Sequence, residues 1–247
     1  MPESPSPPRY DWVILQEGEL PLRPQGWVNP ALEHRCTSAL IWPDGGRPTR
    51  DNTLLTDPYF TGRGYRGVAP ALERLGLPFD EIGRMFVTHP HFDHCLELPA
   101  EVAGDGPPPF EHGAAGPLAG IRLIPCPGHE PSLHALVFRA TSGDEVWIVG
   151  DAILDEPWLR AWAYYWPNRY SPSDVVETWR SVATILSRAD VVVPGHGPPI
   201  SITSALLQNL LSTFPAAQHA ERCLEVGEAI ECRLDALLDD ESAERSS

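Results

Sequence analysis

No apolar run of about 18 residues occurs in this chain, so none of its helices is expected to cross a membrane. The first residues, Met1 to Tyr10, are rich in proline and serine. They lack the basic start, apolar stretch and small-residue cleavage site of a secretory leader. Residues 1–9 are therefore read as a short disordered tail, and the expected location is the cytoplasm. A CxxC pair is also missing. The five cysteines, Cys36, Cys95, Cys126, Cys223 and Cys232, are odd in number and irregularly spaced, which predicts reduced thiols. Basic residues are few: 18 against 34 acidic ones, a formal net charge of −16. A surface of that sign repels phosphate backbones and anionic lipid, which weighs against nucleic-acid and membrane partners. Metal ions would reverse the sign locally inside a site. With no internal repeat and no long linker, one domain is expected.

What is present suits a packed globule. Hydrophobic residues make up 42% and charged residues 21%, an ordinary balance. Strands are predicted at Asp11–Gln16, Thr37–Trp42, Thr53–Thr56, Met85–Val87, Ile121–Ile124, Leu133–Arg139, Glu145–Val149 and Val191–Val193. Helical patterns cover Val68–Leu75, a turn at Phe79–Gly83, Cys95–Val102, and Ser171 to about Arg188. In the last of these Ser171 caps the helix, Pro172 takes its first position and Asp174 faces the positive end of the dipole. Gly104–Pro109 reads as a loop. From Ile202 the pattern is helical, broken at Pro215, with Leu224, Ile230, Leu234 and Leu237 on one face. The domain is expected to span residues 10–238, with residues 202–238 as C-terminal helices and 239–247 as an acidic flexible tail. This order suits sheets packed together with helices outside.

The chemistry is concentrated in Thr88-His89-Pro90-His91-Phe92-Asp93-His94. His89 and His91 are two apart, so after an extended segment both rings can point one way. Asp93 and His94 follow in a turn and can face a second point. Three further candidates sit at strand ends beside glycine: His129 in Pro-Gly-His, Asp151 after Gly150, and His196 in Pro-Gly-His-Gly. Rigid strand ends opening into loops are where functional residues concentrate. Imidazole and carboxylate donors suit zinc, and iron or manganese would also accept them.

The complete pattern is HxHxDH, then His after 35 residues, Asp after 22 more and His after 45 more. With Asp57 ending an early strand, it resembles the metallo-β-lactamase fold superfamily over about Asp11 to Pro199. The resemblance implies an α/β fold, a four-layer αββα sandwich with the site at one edge. It implies two Zn(2+) ions per chain: His89, His91 and His129 on the first, Asp93, His94 and His196 on the second, and Asp151 bridging both. Asp57 takes the position of the residue that supports the ligand loop. His34, His112, His134 and His219 fit no ligand position and are assigned structural or surface roles, His112 being the exception if its loop overhangs the site. Cys95 is read as packing, because the nitrogen and oxygen ligand set is already full.

Two neighbouring ions would bring the pKa of a shared water near neutrality, so that it attacks a carbon or phosphorus centre. Asp93 would assist by handling the proton. The aromatic run after Asp151 (Trp158, Trp162, Tyr164, Tyr165, Trp166, Tyr170) predicts a pocket wall, with Trp158, Trp162 and Tyr165 on the substrate, or else packing against the outer helices or an interface that would make a homodimer. The expected partner is a small ester-like molecule, a thioester or lactone. A phosphodiester or nuclease substrate is the alternative, and β-lactam hydrolysis a minor activity. Acyl-homoserine lactonases share the ligand set and Gly150-Asp151-Ala152, but usually carry Tyr where this chain has Leu154. Glyoxalase II enzymes share the ligands but add basic glutathione contacts, whereas the helical tail here is acidic. Ribonuclease Z enzymes share the run His94 to Pro99 but not the closing motifs. The diiron branch usually has Glu at the position of His91.

Overall fold

The computed structural model describes residues 7–60, 62–95 and 118–245. Alternation along the strands explains the layering. Strands β1 (Tyr10–Gln16), β2 (Ser38–Pro43), β3 (Leu54–Thr56) and β4 (Met85–Phe86) form one sheet in that order. Strands β5 (Arg122–Pro125), β6 (His134–Arg139), β7 (Glu145–Gly150), β8 (Val191–Pro194) and β9 (Ile200–Ser201) form the second. Successive residues of a strand face opposite sides. Ala39 and Ile41 therefore meet Phe138, Val146 and Ile148 of the other sheet, while Leu40 and Trp42 turn outward.

Helix α1 (Gly62–Leu75) covers the outer face of the first sheet with Val68 and Leu72 against Leu40, Leu55 and Met85. Trp147 and Val149 project from the other side of β7, where α3 (Pro172–Leu186), α4 (Ser204–Thr213) and α5 (Glu225–Glu244) bury them. The result is the helix–sheet–sheet–helix sandwich expected from the family resemblance. A short helix α2 (Glu156–Arg160) joins the second sheet to the segment before α3.

Several boundaries differ from the sequence reading for identifiable reasons. Helix α3 starts as expected, with a capping box in which Ser171 accepts from the Asp174 N–H and Asp174 from the Ser171 N–H. Helix α2 and the two-residue strand β9 are too short to show a period. Helix α5 runs on to Glu244, so helix replaces the flexible tail expected from 239. Its buried stripe is Val226, Ile230 and Leu234. Leu224 lies before the helix and is 66% exposed, so it does not join that stripe. At the other end, the Arg9 carbonyl already accepts from the Asp44 N–H at 3.0 Å. The expected helix after Cys95, the Gly104–Pro109 loop, His112 and the first six residues lie outside the described residues. No helix among the described residues is long and apolar enough to cross a membrane.

Strand direction builds the site. β3 and β4 run parallel, so Asp57 and the His89–His94 segment leave the first sheet at one edge. β7 and β8 run parallel, which sends Asp151 and His196 the same way. β5 is antiparallel to β6 and β6 to β7. Hence β5 points with β7, and His129 emerges at that edge too.

Candidate metal centre

Two glycines let the backbones close in. A Cβ on Gly195 would stand 2.0 Å from Asp151 Oδ1, so only glycine lets the His196 loop pass under that carboxylate. Gly128 has φ +127° and its Cβ would meet the Thr178 N–H group at 2.3 Å. This holds the turn before His129 against α3.

The donor atoms fall into three overlapping groups: His89, His91, His129 and Asp151; His94, Asp151 and His196; and His34, Asp93 and His196. Within each group the atoms lie within 4.8 Å of one another. In the first group His91 Nδ1 stands 3.0 Å from His89 Nε2 and 2.9 Å from His129 Nε2. Asp151 Oδ2 is 3.3 Å from His129 Nε2 and 3.9 Å from His89 Nε2. Its other oxygen, Oδ1, is 3.1 Å from both His94 Nε2 and His196 Nε2. Asp93 Oδ2 is 3.6 Å from His196 Nε2. Donors on a tetrahedral zinc, with bonds of about 2.1 Å, sit roughly 3.4 Å apart, so these spacings match atoms gathered around ions. The fit has a second sign. His94 Nε2, His196 Nε2 and Asp151 Oδ1 are buried and have no hydrogen-bond partner. They face one another, with Asp151 Oδ1 3.1 Å from each nitrogen, and such a buried polar trio is rare unless something else satisfies it.

The outward nitrogens of four imidazoles are each held. His89 Nδ1 meets Thr88 Oγ1 at 3.1 Å, and His94 Nδ1 meets Asp57 Oδ2 at 3.0 Å. His196 Nδ1 meets the Arg35 carbonyl at 2.9 Å, and His129 Nδ1 meets the Tyr170 hydroxyl at 2.6 Å. Partners of this kind fix the ring and its tautomer so that the opposite nitrogen faces a metal. Asp57 also accepts from the Thr88 N–H at 2.7 Å. It sits at φ +41°, an unfavourable backbone for a residue with a side chain. It is 1% exposed, so its support of the loop is built into the core.

Charges in the cluster are strongly coupled. Burial pushes His89 far down, with its neighbour His94 adding to the effect. Burial likewise lowers His129 to about 4. For His94 burial opposes protonation, yet the carboxylates of Asp151 and Asp57 on either side outweigh it and raise the imidazole well above its ordinary value. Burial alone would raise Asp151, but His196, His94 and His129 around it hold the carboxyl well below the usual range. Asp93 follows the same logic: burial alone would raise it, but the hydrogen bond from His34 and the nearby His94 bring it down.

A cavity of ≈ 270 Å³ opens above the cluster, lined by His34, Phe92, Tyr165 and Asn168 together with His91, Asp93, His129, Asp151 and His196. Tyr165 is thus at the mouth. Trp158 and Trp162 are not. Trp158 is 1% exposed and packs with Leu20 and Leu154 beneath Tyr165. Trp162 has φ +45°, which turns its ring into the core against Trp179 and Phe214, with Nε1 donating to the Leu210 carbonyl. Of the readings of this aromatic run, packing describes both tryptophans with respect to the ≈ 270 Å³ cavity. Cys95 donates toward the His89 carbonyl at 3.6 Å and belongs to none of the donor groups. Sequence reasoning gave His34 a structural or surface role and read Tyr170 only as part of an aromatic run that forms a wall, packs the helices or makes an interface. The first lacked any local signal; for the second, the signal was its place shortly before the α3 cap.

Replacing Tyr170 with phenylalanine removes the partner of His129 Nδ1 while keeping the ring. The affinity of the first metal position is expected to fall by about 10-fold or more, in the range typical for such partners, with little change in folding. A chelator-competition titration checks this.

No protein-family model matches the chain. It is similar to metallo-beta-lactamase domain-containing protein 1 of Rattus norvegicus, 28% identical over 199 residues that cover 72% of this chain and 75% of the relative. Among solved structures, a metallo-beta-lactamase family protein from Thermus thermophilus aligns with a TM-score of 0.50 at 20% identity, covering 92% of this chain and 82% of that one. A "probable metal-dependent hydrolase" from Staphylococcus aureus aligns with a TM-score of 0.54 at 14% identity, covering 78% and 91%. The chain therefore has the metallo-β-lactamase fold, and its sequence is similar to that of a metallo-beta-lactamase domain-containing protein.

Proposed function

We infer that the chain is a metal-dependent hydrolase that holds two ions and cleaves a small ester-like substrate, a thioester or a lactone. The observation that carries this reading is the Asp151 carboxylate, one oxygen toward His89 and His129, the other toward His94 and His196. His89, His91 and His129 would hold one ion; Asp93, His94 and His196 the other. The all-nitrogen-and-oxygen donor set favours zinc. When bound, such ions supply Lewis acidity and a water that ionises near neutral pH.

The chain's own groups do the rest. Asp93 opens into the cavity with its carboxyl below the usual range, so it stands ionised, where it would accept a hydrogen bond from a water in the cavity. Phe92, 73% exposed, and Tyr165 offer apolar faces to an acyl group, and Asn168 a polar handle. The cavity volume lies near the lower end for small-molecule sites, which favours a compact substrate. A net charge of −16 disfavours a polyanionic one.

The test is a substrate panel on zinc-loaded protein: a thioester, a lactone, bis(p-nitrophenyl) phosphate and a cephalosporin. Turnover of the thioester or lactone, abolished by chelation and restored by zinc, is the expected result. Preference for the phosphodiester or the cephalosporin, or activity indifferent to chelation, would overturn it.

A further inference from the structure

We propose that His34 is a further protein ligand of the second metal position, beyond Asp93, His94 and His196. The inference rests on the two-ion reading above. His34 Nε2 stands 3.0 Å from Asp93 Oδ2, and the ring centroid is 5.2 Å from that of His196. Its nitrogen forms a group with Asp93 and His196 in which all donor atoms lie within 4.8 Å. The 3.0 Å spacing is one that donors around one ion adopt, and His196 links this group to the one that holds His94 and Asp151.

The backbone that carries His34 is fixed to the site from both sides. The Glu33 N–H donates to the Glu19 carboxylate at 3.1 Å. Arg35 exchanges both backbone hydrogen bonds with Glu19, at 2.9 and 3.1 Å, and its guanidinium pairs with Glu19 and Glu33. The Arg35 carbonyl then receives His196 Nδ1. One residue therefore orients His196 through its carbonyl while its chain neighbour brings an imidazole to the same point. Tyr165 borders the ring of His34 on the other side, at 6.2 Å between centroids. A surface histidine needs no such anchoring, whereas a ligand on a loop does, because precision at a metal site comes from the supporting shell.

The alternative is that His34 acts only as a hydrogen-bond donor to Asp93, and the experiment separates the two. The full chain is stripped of metal and titrated with cobalt, following the visible ligand-field absorption for each equivalent, in wild type, His34→Ala and His34→Gln. Glutamine keeps an N–H donor but not the imidazole ligand. Thermal unfolding confirms that each variant folds. The expected result is a second equivalent weakened at least about 10-fold in both variants, with an altered second-equivalent spectrum and the first equivalent unaffected. Wild-type affinity and spectrum in His34→Gln would overturn the proposal in favour of a hydrogen bond, and no change in His34→Ala would overturn it outright. If wild type itself binds fewer than two ions, the two-ion reading fails, and this inference with it.

Discussion

Replacing Asp151 with alanine is expected to leave a folded protein that binds at most one metal ion and has lost its hydrolytic turnover. The carboxylate is 6% exposed and is the one group common to the clusters around His89 and around His94. Without it, four imidazole nitrogens face one another across a gap with no anion between them. Bringing two divalent cations into that gap then costs more, because the −1 charge nearest both is gone. Turnover should fall by about 1000-fold or more, roughly 4 kcal/mol of barrier. Native mass spectrometry counts the ions and a steady-state assay on zinc-loaded protein measures the rate. Two retained ions with normal turnover would contradict the role given to Asp151.

The second large effect is expected at Asp57, which touches no substrate. Asp57 Oδ1 accepts from the Thr88 N–H, and Oδ2 takes the Thr88 hydroxyl at 2.9 Å and His94 Nδ1 at 3.0 Å. In Asp57→Asn the amide oxygen keeps the Thr88 N–H, so the amide NH2 faces His94 Nδ1. A donor there forces that nitrogen to be the acceptor and moves the imidazole proton to Nε2, the atom that faces the metal. The second metal position should weaken by about 10- to 100-fold. Asp57→Ala is harsher, since it strands buried donors: a loss of about 3–5 kcal/mol of stability is expected. Zinc titration and denaturant unfolding, run side by side, separate the two effects. Unchanged zinc affinity in Asp57→Asn would show that His94 is oriented by other means.

Much of this site was legible in the sequence because its chemistry is tied to strand ends. His129, Asp151 and His196 each follow a short apolar run and a glycine, and parallel strands bring such ends to one edge. The HxHxDH loop carries four donors in six residues, a local pattern that needs no tertiary information. His34 was illegible for the opposite reason. It lies in a polar loop with no strand or glycine beside it, and it reaches the site only because Glu19 pairs with Arg35 and Arg35 with His196. Trp158 and Trp162 were open for a third reason: an aromatic run beside a candidate ligand reads equally as a pocket wall or as packing, and the left-handed backbone that folds the 162 ring into the core has no local signature. The αββα layering was read through the family resemblance; alternation alone located the strands but not which sheet each would join.

Zinc soaked into crystals of the full chain, imaged by its anomalous scattering, tests the central claim most directly. Two peaks flanking the Asp151 carboxylate, one bounded by His89, His91 and His129 and the other by Asp93, His94 and His196, are the expected result. A single peak, or zinc bound only outside these seven residues, would contradict it.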